Sequence, residues 1–345
     1  MNPDWHNFLT LQGATIIDGI AQRFGDTSAE LKAAEQGTIL CDLSQFGILR
    51  VSGEEAQSFL QNLLSNDINE VISTRAQLSS LNNAKGRMLA TLLIWHKGGD
   101  YLLQLPRVLC EPIRKKLAMY VLRSKVKVSD ASDEIISLGL SGANAQEILL
   151  AQFGELPQQP LGVIGSAQGS VIKIGETRFQ VNTTAANAAA LWAAFGRHSQ
   201  PVGSACWDWL NIRSGIPVIL PQTQEQFVAQ MVNLELIGGV SFKKGCYPGQ
   251  EIVARMQYLG KLKRRMYLAH MNGSDTPMPG DELFCADMEG QPSGMIVNSA
   301  PAPNGGYDVL ATVQIAGRET QTVHWRSLQG ESLEFLPLPY LLPDA

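Results

Sequence analysis

The chain has 345 residues, of which 45% are hydrophobic and 17% charged, and its formal net charge is −5. This balance is typical of a globular protein with a sizeable core, and the length predicts two or three domains. A broad electrostatic attraction to nucleic acid is not expected of an acidic chain. A phosphate or carboxylate partner would therefore have to be bound by a local cluster of basic residues.

No membrane association is predicted. The first 20 residues lack the basic leader of a signal peptide, and the strongest apolar run, "MLATLLIW" at 88–95, is far shorter than the roughly 20 residues of a membrane span. We therefore expect a cytoplasmic protein.

The five cysteines predict no metal site. They lie far apart, without C-x-x-C spacing or a close histidine, at Cys41, Cys110, Cys206, Cys246 and Cys285. A zinc site or an all-cysteine cluster has little local support. Buried reduced thiols are expected for four of them, and Cys246 is the exception because of its neighbours.

The first third of the chain predicts strands and helices in a single unit. Residues 37–53 contain two apolar runs about a turn and predict paired strands, and the capping-box pattern Ser52 to Glu55 predicts a helix from Ala56 onward. Two apolar runs joined by "HKGGD" predict a hairpin. A helix with Pro112 near its start should follow, and a domain boundary is expected near residue 130.

The middle and the end of the chain predict two different kinds of unit. From residue 134 strands and helices alternate, which indicates a small α+β unit, with an exposed loop at 157–174. Residues 206–220 predict a helix that ends at Gly215. Beyond Lys261 the short apolar runs between glycines and prolines predict a β-barrel or sandwich.

The stretch "SFKKGCYPGQEIVAR" at 241–255 combines a tight turn with a helix start. Gly245 and Gly249 can adopt positive φ, and the first turn of the following helix would favour an acidic residue. A helix N-terminus and two preceding lysines suit an anion and would make the thiol of Cys246 reactive if it faces them. Alternatively the thiol packs inward and the lysines are solvated. No base for a nucleophilic triad lies nearby.

A second basic cluster, "GKLKRR" at 260–265, follows at once. Such a run is often only a solvated face. If it has a function, it favours an anionic partner such as an RNA backbone or an acidic ligand tail.

These motifs resemble a known family. "FKKGCYPGQE" followed by "VAR", "GK" and "KR" is similar to the signature of the YgfZ-type folate-binding proteins, which are relatives of the aminomethyltransferase (T-protein) of the glycine cleavage system. Further similarity extends over nearly the whole chain, in "VSGEEAQSFLQNLLSNDI", "NAKGRM", "NIRSGIPVI", "NLELIGGVSF" and "LEFLPLPY".

The resemblance implies an α+β, three-domain clover-leaf fold of the aminomethyltransferase type around a central cavity, with a C-terminal β-barrel. The expected divisions are 1–129 for the first part of the folate-binding domain, 130–205 for a small α+β domain, 206–258 for the return segment that completes the folate-binding domain, and 259–345 for the barrel. The implied cofactor is tetrahydrofolate or a derivative.

The implied function is a folate-binding accessory role in the maturation or repair of iron-sulfur enzymes, including one that thiomethylates tRNA. The partners would be folate, iron-sulfur enzymes or their assembly machinery and, indirectly, tRNA. By motif position Cys246 is the expected reactive thiol. The expected folate-binding residues are Lys244, Gly245, Tyr247, Gly249, Gln250, Glu251, Lys85, Arg87 and Arg213.

Two departures from the family pattern keep alternatives open. The aminomethyltransferases have a carboxylate after the segment equivalent to "KGRML", whereas Thr91 stands about there in this chain. Many relatives have a Pro-x-Glu before Asn-Leu, and here Met231 takes the position of the glutamate. The alternatives are a folate-dependent one-carbon transferase, which needs the carboxylate, and an RNA- or protein-binding scaffold without catalysis.

Overall fold

The computed structural model describes residues 1–288 and 290–343. The chain divides into two compact units. The first comprises Met1–Leu60, Ile68–Gln77 and Leu93–Trp207, and the second comprises Gln61–Asp67, Leu78–Leu92 and Asp208–Ala345. Each unit therefore combines segments that are distant in the sequence.

The helices and strands of the described residues are numbered in chain order. The helices are α1 (Pro3–Leu11), α2 (Thr27–Gln36), α3 (Ala56–Gln61), α4 (Arg107–Val121), α5 (Ala145–Phe153), α6 (Ala185–Phe195), α7 (Ser204–Arg213), α8 (Gln250–Tyr258) and α9 (Ile315–Thr320). Short 3₁₀ turns occupy Ile68–Glu70, Pro221–Thr223, Ala229–Val232 and Ala286–Met288. The strands are β1 (Thr15–Ile17), β2 (Ile20–Arg23), β3 (Ile39–Asp42), β4 (Phe46–Ser52), β5 (Gln77–Asn82), β6 (Met88–Lys97), β7 (Asp100–Pro106), β8 (Lys127–Asp130), β9 (Ile135–Ser141), β10 (Val163–Ser166), β11 (Gly169–Lys173), β12 (Arg178–Thr184), β13 (Gln200–Val202), β14 (Arg264–Met271), β15 (Glu282–Phe284), β16 (Gly294–Pro301), β17 (Tyr307–Gln314), β18 (His324–Trp325) and β19 (Glu334–Leu336).

The first unit contains a six-stranded sheet in the order β10-β11-β12-β9-β3-β13. Side chains alternate between the faces of a strand, and one face of this sheet is apolar. Residues such as Leu138, Leu140, Phe179 and Val181 pack there with Trp192 of α6 in a single core. This burial of aromatic and aliphatic surface stabilises the sheet against its helices.

The opposite face of the same sheet is polar although it is buried. Arg178, Gln180 and Asn182 alternate along β12, and Ser137 lies across from Asn182 on β9. Gln180 bonds with Gln104 and Asn182, and Ser137 donates to Asn182. Neither Nη atom of Arg178 has a hydrogen-bond partner among the described residues. Its guanidinium stacks instead on Trp207, 5.0 Å from the ring centroid.

Within the first unit residues 93–97 of β6 pair with β7, β7 pairs with β4, and β4 pairs with β8, all antiparallel. The β6–β7 hairpin is confirmed, with Lys97 opposite Asp100 across the turn. The expected pairing of β3 with β4 is wrong. These strands belong to different sheets, because β3 pairs with β9 and β13 while β4 pairs with β7 and β8.

Two local expectations also need correction. The helix around Pro112 begins earlier than expected, at Arg107, so that this proline lies inside α4. The segment at 157–174 is not only a loop, since it contains the hairpin of β10 and β11.

The second unit ends in a six-stranded antiparallel sheet in the order β18-β15-β16-β17-β14-β19. Its apolar face forms a separate core with residues such as Tyr267, Ile296, Val313 and Trp325. The expected closed barrel is wrong. The end strands β18 and β19 have only two and three residues and do not pair with each other, so the sheet curls into a half-barrel and stays open.

No helix among the described residues combines the length and the apolarity needed to cross a bilayer.

Candidate functional site

The Cys-Tyr-Pro-Gly motif forms a turn that leads directly into α8. Gly249 has φ +78° and occupies the N-cap of the helix, as expected for a glycine at a sharp bend. Gly245 does not adopt positive φ, which corrects one expectation. The helix begins at Gln250, and Glu251 lies in its first turn, where the helix dipole favours a carboxylate.

Glycine–glycine packing brings two motifs together in the second unit. Gly86 of "NAKGRM" has φ +70°, and a Cβ on Gly249 would clash with the Cα and N of Gly86 and lie 2.6 Å from the carbonyl oxygen of Asn83. The turn around Gly86 is held by Asn83, whose Oδ1 accepts from the N–H groups of Lys85 and Arg87 at 2.9 and 3.0 Å. Segments about 160 residues apart in the sequence thus form a single site.

Lys244 is engaged inside the protein. Its Nζ donates to the carbonyl oxygens of Gln61, Leu64 and Asn66 at 2.6, 2.6 and 3.1 Å, and it lies 5.1 Å from the ring centroid of Tyr247. An ammonium group has three protons, and all three have a carbonyl acceptor here. This placement makes Lys244 a clamp between its own loop and residues 61–66, and the expected contact of Lys244 with folate stays a prediction.

Burial changes the titration of this loop. It lowers the pKa of Lys244 to about 8, although the Asp67 carboxylate opposes the shift. It also raises the pKa of Tyr247 to about 12, so the phenol remains neutral and can donate a hydrogen bond. The Nε2 of Gln250 reaches the carbonyl oxygen of Lys244 at 3.4 Å and braces the turn.

Cys246 is exposed, whereas the other four cysteines are buried. The alternative in which this thiol packs into the core is therefore excluded. Lys243 and Glu251 are exposed as well, so exposed charged groups of both signs lie within five residues of Cys246 in the chain. A solvent-accessible thiol can react with a partner or an oxidant, which a buried thiol cannot do.

The remaining expected residues lie in two places in the second unit. Arg87 donates through Nη1 to the carbonyl oxygen of Gln226 at 2.6 Å and lies 4.0 Å from the sulfur of Met231. Lys85 is exposed. The residue at position 231 is thus within reach of a guanidinium, where a glutamate would form an ion pair.

Arg213 belongs to a separate cluster around the buried Asp308. This carboxylate accepts from Nε1 of Trp209 at 2.8 Å, contacts Nδ1 of His270 at 2.8 Å, and lies 3.6 Å from Nη1 of Arg213. Sequence reasoning missed Asp308 and His270. Their cross-strand pairing in β14 and β17 could have been found only by predicting the register of the sheet.

Thr91 has a structural partner, since its Oγ1 accepts from the N–H of Ile219 at 3.1 Å. Two buried amide groups in the second unit do lack partners among the described residues. They are Nδ2 of Asn82, which precedes the Gly86 turn, and Oε1 of Gln230, whose Nε2 donates to Val253 of α8 at 2.7 Å. The Nδ2 group of Asn82 is an unpaired hydrogen-bond donor, and Oε1 of Gln230 is an unpaired acceptor. A polar heterocycle has both donors and acceptors along its edge and therefore needs partners of both kinds.

Comparison with known proteins identifies relatives of this chain. The GCVT N-terminal domain family matches residues 3–161. The tRNA-modifying protein YgfZ of Colwellia psychrerythraea is 32% identical over 75% of this chain and 80% of its own. That of Cronobacter sakazakii is 30% identical over 89% of this chain and 94% of its own. The chain belongs to the YgfZ family.

A third YgfZ protein, from Shigella boydii, is 29% identical over 88% of this chain and 94% of its own. Among solved structures, the glycine cleavage system aminomethyltransferase T of Bartonella henselae superposes with a TM-score of 0.77 over 99% of this chain and 98% of its own, at 17% identity. At that identity the match shows the fold alone. This member of the YgfZ family therefore has the aminomethyltransferase-like fold with mixed α and β structure.

Among the described residues no group of three or more histidine, cysteine, aspartate and glutamate side chains could hold a metal ion. The chemistry available at the motif is that of an exposed thiol, a helix N-terminus and two unpaired amides.

Proposed function

We propose that this protein is a cytoplasmic folate-binding accessory protein that supports iron-sulfur enzymes, including one that thiomethylates tRNA. The single observation that carries the proposal is the packing of the Gly86 turn against the Gly249 turn, which brings the "NAKGRM" motif against the Cys-Tyr-Pro-Gly motif. The relatives in the YgfZ family are named tRNA-modifying proteins, which supports the proposed link to tRNA modification.

The residues at the site fit a tetrahydrofolate. A pterin presents both donors and acceptors along its edge, and Asn82 and Gln230 have one unpaired donor and one unpaired acceptor. The glutamate tail is anionic, and Lys85 is an exposed cation on the Gly86 turn. The phenol of Tyr247, whose pKa burial raises to about 12, is a further hydrogen-bond donor. When bound, tetrahydrofolate would supply a carrier for one-carbon units.

Cys246 is the proposed reactive thiol. It lies on an exposed turn four residues before α8 begins, and it is accessible to a partner protein. We also propose the three-domain clover-leaf arrangement of the family, with the divisions 1–129, 130–205, 206–258 and 259–345. The 206–258 segment would return to the folate-binding domain and carry the motif.

Calorimetric titration with tetrahydrofolate and with a polyglutamylated form tests the folate proposal. We expect saturable binding of both, and Lys85→Ala should weaken the polyglutamylated ligand more than the monoglutamate because it removes a cation near the tail. Lys97→Ala is the matched control, since Lys97 is another exposed lysine at the opposite end of β6. Absence of saturable binding to the folded protein would refute the proposal.

Genetic complementation tests the role of the thiol. In a strain that lacks its own YgfZ protein, Cys246→Ala should fail to restore thiomethylated tRNA nucleosides, measured by mass spectrometry, while the purified variant keeps the wild-type melting temperature. Full restoration by the variant would show that the thiol has no part in the function, whatever the outcome of the folate titration.

A further inference from the structure

The end of α8 carries an exposed basic and aromatic surface that the folate proposal does not use. We call it the α8 surface and define it by the exposed side chains of Lys243, Arg255, Tyr258, Lys261 and Lys263. Tyr258 is 68% exposed and the following Leu259 is 85% exposed. Two adjacent exposed side chains of this size, rimmed by cations, make the segment a candidate interaction site.

The charge of this segment is opposite to that of the whole protein. Residues 241–265 contain seven of the 27 lysines and arginines of the chain and a single acidic residue, Glu251, although the chain as a whole has a net charge of −5. Lys244, Arg264 and Arg265 are engaged in internal hydrogen bonds. Among the described residues no ion pair involves Lys243, Arg255, Lys261 or Lys263, so four cations face solvent without a carboxylate.

A ring contact fixes the geometry of the surface. Phe242 and Tyr258 meet edge to face, with ring centroids 6.1 Å apart and planes at 72°. The contact closes the segment from 242 to 258 on itself and brings Phe242, the chain neighbour of Lys243, to the C-terminal end of α8, where Lys261 and Lys263 follow. Because Phe242 supports one side of the tyrosine ring, the exposed part is held in place for stacking.

We propose that the α8 surface binds a single-stranded segment of RNA. The four cations would contact successive phosphates, and a base would stack on Tyr258, with Leu259 extending the apolar platform. Proteins that bind single strands combine such a basic track with an exposed aromatic ring. An acidic protein segment would also be attracted by the charges, but it would have no need of a supported, exposed ring. This proposal is independent of folate binding.

Fluorescence anisotropy of a short fluorescein-labelled oligouridylate, titrated with the whole protein between about 50 and 200 mM salt, tests the proposal. Four phosphate contacts predict that log K falls with log salt with a slope of about −3, since each contact contributes about −0.7 for a single strand. Lys261→Gln with Lys263→Gln should roughly halve the slope.

Two further variants separate stacking from charge. Tyr258→Ala should weaken binding about tenfold with an unchanged salt slope, because a stacked base contributes no counterion release, and Tyr258→Phe should restore most of the affinity. Lys32→Gln with Lys127→Gln is the matched control. It removes two exposed lysines of the first unit and therefore lowers the net charge as much as Lys261→Gln with Lys263→Gln does. It should leave the affinity within about twofold.

Any of three results would overturn the proposal. One is the absence of measurable binding at the lowest salt. Another is an equal loss in the control variant, which would place binding elsewhere. The third is an oligoglutamate probe that binds at least as tightly as the RNA and whose affinity does not change in Tyr258→Ala. That result would assign the surface to an acidic protein partner.

Discussion

Replacement of Lys244 by methionine tests the most unexpected part of the site. The side chain keeps a similar length and apolar stem in Lys244→Met but loses the ammonium group that donates to the carbonyl oxygens of Gln61, Leu64 and Asn66. If these bonds hold the motif loop against residues 61–66, the variant must be less stable. If Lys244 only bound a ligand, its replacement by methionine would leave the free energy of unfolding of the ligand-free protein unchanged.

The expected loss follows from the environment of the three carbonyl groups. The bond to Leu64 is buried, and an unpaired buried acceptor costs about 1–3 kcal/mol. The bonds to Gln61 and Asn66 are partly exposed, so water can replace the ammonium there at a smaller cost, about 0.5–1 kcal/mol each. Removing the burial of a charge offsets part of this. We expect a net loss of about 2–4 kcal/mol.

Urea titration followed by circular dichroism measures this loss as a change in the free energy of unfolding. Lys243→Met is the matched control, because the neighbouring lysine is exposed and its replacement should stay within about 0.5 kcal/mol. A loss below about 1 kcal/mol for Lys244→Met would refute the clamp.

The pH dependence has a definite sign. Burial lowers the pKa of Lys244 from 10.5 to about 8, so between these values the unfolded chain binds more protons than the folded protein. The contribution of Lys244 to the free energy of unfolding therefore rises with pH through this window, and it is smallest below about pH 8. The stability difference between wild type and Lys244→Met should widen from pH 8 to pH 10.

Two other substitutions have contrasting expectations. Gly249→Ala should destabilise the protein by at least about 2 kcal/mol and abolish folate binding, because φ is +78° and the new methyl group clashes with Gly86. Gly245→Ala is the control and should change stability by no more than about 1 kcal/mol, since its methyl group would meet no heavy atom within 4 Å. Equal shifts in the melting temperature of the two variants would contradict the packing. Arg178→Met should leave the free energy of unfolding within about 1 kcal/mol or raise it, because a buried guanidinium with unpaired Nη atoms gains little from its charge. A loss of more than about 3 kcal/mol in denaturant titration would contradict this, since it would mean that the charge, which stacks on Trp207, is strongly stabilising.

Local features of the sequence predicted the elements whose partners are close in the chain. The β6–β7 hairpin followed from two apolar runs around "HKGGD", and the glycine at the start of α8 followed from the need for positive φ at a tight turn. Both depend on interactions within a few residues. The family motifs predicted the fold class for a different reason, since they are similar to those of known proteins.

Long-range contacts decided the rest. The strands β3 and β4 are adjacent in sequence yet pair in different sheets, because each finds its partners among strands far along the chain. The family resemblance placed Lys244 at the folate site by motif position, but its role as a clamp was not predicted. Its three carbonyl acceptors lie about 180 residues earlier, where no local pattern could indicate them.

By itself the sequence determined which residues carry the chemistry, since the identity of a thiol, a glycine or a cluster of lysines is fixed by the chain. Only the tertiary structure decided which of them face solvent. It exposed Cys246 and the lysines that follow α8 and buried Lys244 among carbonyl groups. The physical reason is that exposure depends on which distant backbone groups fill the space around a side chain, and that is settled by packing between segments rather than by neighbours in the chain.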